Sequence, residues 1–493
     1  MSIKKDSKII IVGAGVFGLS NALHLAQNGY TDITVFDRLD MNSNHYTLLE
    51  GADTASADLN KVFRAQYAEK KHYQDLAFKA FEIWQKWDRD IGLLPPDEAK
   101  NYTDLRILDL CGMLRLDDQI GWEELASRDN YAKEGLSALR FDINNEADVK
   151  RANASGFASK MNWARNLKAT TLPQLEGALD STSGVLYASR ACQYANYLCR
   201  TMGVKFVLGG KKGTFKHFIY NDTAQTEVGG IVTEDGKRHV ADLVVINCGP
   251  WSTSLVPELD GINEGTGGNI IVFKIPEDRK DLRIKYNSKN FPMIGWKTGH
   301  SREHEQMAGM FMFPISEPEG YMKMIIRQTK YTNPVKLDNG RVVSIPKTVN
   351  SNPPFKYLTR HIVDQVKDWL TIFFPDLVEA NLKFESKILW YTDTINNDYL
   401  YDYVPNKKGL FVACGGSGHA FKMLPVLGQF LVDKIEGRQN FYTDLFKWRY
   451  SKDFEKDPNG LREGLSSARA YDKQVLSVPE DYKITKDLLK SHL

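Results

Sequence analysis

Apolar residues gather at three places along the chain into short runs that end on small residues. The first is KIIIV (8–12), followed by the loop GAGVFG (13–18), a stretch of helical character to about Asn28, and a further run, TDITVFD (31–37). Short apolar runs bounded by turn residues read as buried strands, so the spacing predicts a β-α-β unit. ADLVVINCGPWS (241–252) and GLFVACGGSGHAFK (409–422) repeat the scheme of an apolar run, small residues and then a helix. In an open parallel sheet such strand ends line the ligand crevice.

Between these runs the pattern changes. GMFMFPI (309–315) and YMKMIIR (321–327) alternate with a period of two, which predicts antiparallel strands with two distinct faces: Tyr321, Lys323 and Ile325 on one, Met322, Met324 and Ile326 on the other. The expected fold class is α/β. A Rossmann-like nucleotide-binding domain is assembled from residues 1–92, 166–255 and 385–440, and a substrate domain with a mixed or antiparallel sheet is inserted from 93–165 and 256–384. Residues 441–493 are a C-terminal extension, whose charged tail 450–493 reads as a surface segment. TASADLNKVFRAQY (54–67) reads as a helix start that Ser56 or Asp58 can cap, placing Lys61 and Arg64 on one face. Such a pair is ordinarily a solvated face.

Composition narrows the function classes. The 493 residues, 42% hydrophobic, suffice for a large core in two or more domains. The formal charge of +2 comes from 64 basic and 62 acidic residues spread along the chain, so no electrostatic footprint for nucleic acid emerges. The cysteines, Cys111, Cys192, Cys199, Cys248 and Cys414, form no metal-ligand spacing and fit a reduced intracellular compartment. No run approaches the roughly 20 apolar residues of a membrane span. The N-terminus lacks the pattern of a secretory signal. The ending Ser491-His492-Leu493 matches the small-basic-leucine pattern read by the peroxisomal import receptor, so a peroxisomal location is expected.

Gly13-Ala14-Gly15-Val16-Phe17-Gly18 satisfies GxGxxG in the context that gives it meaning, after a strand and at the opening of a helix, with Asp37 ending the next strand. Close backbone approach and the positive end of the helix suit a pyrophosphate, and the Asp37 carboxylate suits a ribose hydroxyl. The motif does not choose between NAD and FAD.

GAGVFGLS, ASADLNKVFR, DLVVINCGPWS, GYMK (320–323), WYTDT (390–394), GGSGHAFK (415–422) and LFKWR (445–449) stand in one order. That order resembles the monomeric sarcosine oxidase group of flavoenzymes, most closely its fungal branch of fructosyl-amino-acid (Amadoriase), saccharopine and pipecolate oxidases. The resemblance covers most of residues 8–450. It implies a monomeric FAD enzyme that oxidises the C–N bond of a secondary amino acid to an imine and reduces oxygen to hydrogen peroxide. A dehydrogenase using another acceptor, or a catalytically silent flavoprotein, are the alternatives.

The resemblance also implies roles. Lys323 matches the lysine that activates oxygen over the flavin, where an ammonium stabilises the charge developing on oxygen; an edge-strand lysine is the other reading. Lys61 matches a basic residue near the flavin. Arg64 and Lys422 match groups that hold the substrate carboxylate, with Tyr67 a pocket residue and His419 either a contact or a surface residue. The implied cofactor contacts are Gly13, Gly15, Val16, Phe17, Gly18, Asp37, Arg38, Ser56, Asp58, Lys61, Phe206, Gly416, Gly418, Phe421 and Lys422. Two departures stand out. Leu389 occupies the position of the cysteine that attaches FAD covalently, which implies noncovalent FAD. In LCGMLRL (110–116), Met113 takes the place of a carboxylate-binding arginine, with Arg115 two residues on as a substitute that shares its strand face.

Overall fold

Two sheets organise the chain, which passes back and forth between them. The computed structural model describes residues 3–44, 46–49, 52–95, 106–297 and 309–490; Ser491-His492-Leu493 lies outside the described residues. The first sheet has six strands in the order Leu400–Tyr403, Leu410–Cys414, Leu243–Ile246, Lys8–Val12, Asp32–Asp37, Lys205–Leu208. All neighbours run parallel except the hairpin 400–414. Ile9 and Ile11 pack into one core and Ile10 and Val12 into another, so the KIIIV run is apolar throughout because both faces are covered.

The second sheet has eight strands: Phe384–Thr394, Asn263–Lys274, Tyr321–Tyr331, Met310–Met312, Met293–Lys297, Met113–Asp117, Glu176–Asp180 and Arg140–Asp142. It is antiparallel except where 293–297 meets 113–117, hence mixed. Met322, Met324 and Ile326 face a core behind it, while Lys323 and Ile325 face the first sheet's domain. Strands Glu176–Asp180 and Phe384–Thr394, which lie within 166–255 and 385–440 apart from the latter's first residue, hydrogen-bond into this second sheet.

Helix Val16–Gln27, which follows the glycine loop, lies against helix Leu424–Ile435, which follows GGSGHAFK. Their backbones touch: a Cβ on Gly428 would stand 2.1 Å from the Ser20 carbonyl oxygen. Ser20 Oγ accepts from the Gly428 amide at 2.8 Å and donates to the Leu424 carbonyl at 2.5 Å. The two motif loops are thereby held side by side.

Two expectations are corrected. Residues 54–67 form no helix: a turn over 55–59 leads into strand Lys61–Phe63, paired antiparallel with Gly184–Leu186. Val62 and Phe63 find a strand partner more than a hundred residues away, and no local signal announces it. The C-terminal segment is also more than a surface extension. Tyr471 and Ile484 enter the core behind the second sheet, and Ala470 bridges to Thr332.

Candidate active site

The site forms where the two sheets face each other. The glycine loop closes tightly, because a Cβ on Gly18 would stand 1.8 Å from the Gly13 carbonyl oxygen. Helix Val16–Gln27 begins at Gly15 without a side-chain cap of its own. Ser56, expected to cap a local helix, reaches across to accept from the Val16 amide at 3.0 Å. Asp37 accepts from Ala14 N and Leu39 N at 2.8 Å each, and burial pushes its carboxyl up. Phe17 carries this loop to the other: a Cβ on Gly416 would meet its ring at 3.3 Å.

Beyond the loop lies a buried ionic hub. Asp58 is fully buried, and its Oδ2 receives Lys61 Nζ at 2.6 Å and Lys323 Nζ at 2.9 Å. Burial raises the Asp58 carboxyl, but the two lysines outweigh it and hold it below its ordinary value. Lys323 also donates to the Asn60 carbonyl and lies 4.4 Å from the centroid of the Phe313 ring. Burial brings its ammonium down to about 8, Asp58 opposing and Lys61 adding to the fall. Its strand runs between Asn263–Lys274 and Met310–Met312, so Lys323 is interior and the edge-strand reading is excluded.

Next to the hub is a group of cations without counter-ions among the described residues. Lys422 sits in the turn Phe421–Met423, buried, with its ammonium donating to the His419 carbonyl at 3.2 Å. Burial, then Arg64 and Arg327, drive its proton affinity well below the ordinary lysine value. Arg64 donates to the Gln66 carbonyl and is lowered by burial and by Arg115 and Arg327. Tyr67 lies between them, with the Arg64 guanidinium 5.0 Å and Lys422 Nζ 4.8 Å from its ring centroid. Among the described residues no carboxylate pairs with Arg64, Arg327 or Lys422. Arg115 differs: Glu124 lies 3.1 Å away and Gln66 Oε1 2.9 Å.

His419 is a structural link. Its Nε2 donates to the Asn397 carbonyl at 3.0 Å, and Nδ1 lies 3.0 Å from Tyr399 Oη and 3.2 Å from Tyr67 Oη. Burial, with Lys422, drives its pKa far below the ordinary value, so the ring is neutral and Nδ1 accepts.

A family model described as FAD dependent oxidoreductase (DAO) matches residues 8–434. The chain belongs to this FAD-dependent oxidoreductase family. It is 27% identical to the L-saccharopine oxidase of Schizosaccharomyces pombe over 458 residues, covering 90% of this chain and 93% of that protein. It is 23% identical to the peroxisomal sarcosine oxidase of Homo sapiens over 438 residues, covering 88% and 93%. Among solved structures, the fructosyl peptide oxidase of E. terrenum superposes with a TM-score of 0.74 at 21% identity over 96% of this chain and 98% of that one, a likeness of fold.

The residues present fit the FAD of the family. Ser56 takes only the Val16 amide, and the following first-turn amides have no intrahelical partners, as a pyrophosphate requires. Arg38 stacks on Trp251, 4.1 Å from its ring centroid, beside this end of the sheet. Phe421 faces Lys61, whose Nζ is 6.0 Å from its ring centroid. Gly418 is pressed towards Arg327, which a Cβ there would meet at 3.2 Å. Phe206 stands apart, on the outer strand beneath Arg200, whose guanidinium lies 4.5 Å from its ring centroid. Leu389 is buried against Ile270 and Val272. Burial pushes the thiols of Cys111, Cys199, Cys248 and Cys414 up to about 12, and that of Cys192 up as well. Arg327 was missed from the sequence, although period two from Lys323 puts it on the same strand face.

Proposed function

We propose that the protein is an FAD-dependent oxidase of a secondary amino acid, yielding an imine and hydrogen peroxide. The carrying observation is the juxtaposition of two charge arrangements: Lys422 and Arg64 without acids among the described residues, and Lys323 balanced on Asp58. When bound, FAD supplies the two-electron chemistry that takes hydride from the substrate and passes electrons to oxygen.

The chain's own residues do the rest. A buried ammonium and a guanidinium together form a receptor for a carboxylate, which returns to them the counter-charge that burial withholds. Tyr67, held between both cations, stiffens that receptor. Neutral His419 fixes the turn carrying Lys422 and leaves one of two phenol hydroxyls without its lone pair, free to donate towards the substrate. Lys323 keeps a positive charge in a site that excludes water, where it favours charge appearing on oxygen. Leu389 and the neutral thiols support FAD held without a covalent bond.

The test is reduction of the bound flavin without oxygen by secondary amino acids, followed by admission of air. Bleaching and recovery with stoichiometric peroxide support the reading. Recovery only with an artificial acceptor would make the protein a dehydrogenase.

A further inference from the structure

The cations exceed what a single amino-acid carboxylate requires. Arg64, Arg327 and Lys422 each lack an acid among the described residues, and Arg64 and Arg327 both depress the proton affinity of Lys422. Arg115 is set apart from these three by its contact with Glu124, a carboxylate it shares with Arg140 and Arg128. One bound carboxylate placed on Lys422 and Arg64 leaves Arg327 uncompensated.

Arg327 also differs in position. It is exposed, whereas Lys422 is buried, so it is the solvent-facing member of the group. It lies on the same strand as Lys323, four residues on and on the same face, roughly 13 Å away along the strand at about 3.3 Å per residue. Its guanidinium lies beside the GGSG turn, close to Gly418, and Tyr391 is also near, since a Cβ on Gly418 would stand 3.8 Å from that ring. Beside Arg64 and Arg115, Gln66 Nε2 is a buried donor without a partner among the described residues. A planar, solvent-facing fork beside the buried cations suits a second carboxylate.

We propose that Arg327 is a specificity-determining residue that binds a second carboxylate, and that the substrate is a secondary amine with carboxylates on both sides of the nitrogen, an N-(carboxyalkyl) amino acid. This rests on the oxidase reading above and narrows its substrate class. Neutral N-alkyl substituents leave the Arg327 fork empty.

Two measurements on the FAD-loaded protein test it. Calorimetric binding of glutarate and of valerate, which share a carbon count and differ by one carboxylate, reads the second anion site without turnover. Glutarate is expected to bind more tightly, and Arg327→Gln to weaken glutarate by about 10- to 100-fold, as loss of a charged hydrogen bond implies, while valerate is unchanged and Arg327→Lys retains part of the preference. In anaerobic flavin reduction, saccharopine is expected to saturate at lower concentration than pipecolate, with only saccharopine affected by Arg327→Gln. Equal binding of the two acids by the unsubstituted protein, or equal losses for both in Arg327→Gln, overturns the proposal while bleaching by pipecolate leaves the oxidase reading intact. Absence of bleaching by every amine overturns that reading and the proposal with it.

Discussion

Lys323 concentrates the chemistry into one side chain. It is buried in the middle of a sheet, Asp58 is its one carboxylate partner among the described residues, and that carboxylate is shared with Lys61. Lys323→Met is expected to slow reoxidation of the reduced flavin by about 10²- to 10³-fold, as for loss of one preorganised electrostatic group, with flavin reduction changed far less; stopped-flow traces of the two half-reactions separate them. The ammonium is charged below its pKa of about 8 and neutral above it, so the reoxidation rate constant is expected to fall as pH rises through about 8. Asp58 raises that pKa, so Asp58→Asn is expected to move the fall to lower pH. An unmoved profile would take Asp58 out of that role. Lys422→Ala, by contrast, is expected to raise the substrate concentration needed for half-maximal flavin reduction about 10-fold or more, with less effect on the limiting rate.

At the scale of elements, the site depends on two backbone contacts that admit no side chain. A methyl group on Gly18 meets a main-chain oxygen that cannot rotate away, so Gly18→Ala is expected to open the loop and yield protein that purifies without flavin. Retained yellow colour at full stoichiometry would count against the loop as the cofactor cradle. Legibility in the sequence follows the range of the interactions. The β-α-β unit and its loop were readable because continuous apolar runs and glycines act within forty residues. The strand Lys61–Phe63 carries no such local signal, because its partner, Gly184–Leu186, is remote in sequence. Arg327 was within reach of the same alternation that singled out Lys323. The bonding of His419 was not, since Tyr67 arrives from the opposite end of the chain.

Across the whole molecule, the mixed sheet supplies Lys323 and Arg327, while the loops of the parallel sheet's domain supply Lys422 and, with the strand after it, the Asp58 to Tyr67 segment. Cofactor binding between them couples to stability. Saturating FAD at a hundred times its dissociation constant is expected to add about 2.7 kcal/mol, visible as a concentration-dependent rise in Tm over the apoprotein. Acid precipitation is expected to leave the flavin in the supernatant, whereas yellow pellet would show a covalent bond despite Leu389. The most direct test of the central claim is anaerobic titration of the FAD-loaded protein with saccharopine, pipecolate, sarcosine, fructosyl-valine and fructosyl-lysine. Bleaching of the flavin by a secondary amino acid, lost in affinity on Lys422→Ala and followed in air by one peroxide per flavin, is the expected result. Flavin that stays oxidised with every amine would contradict it.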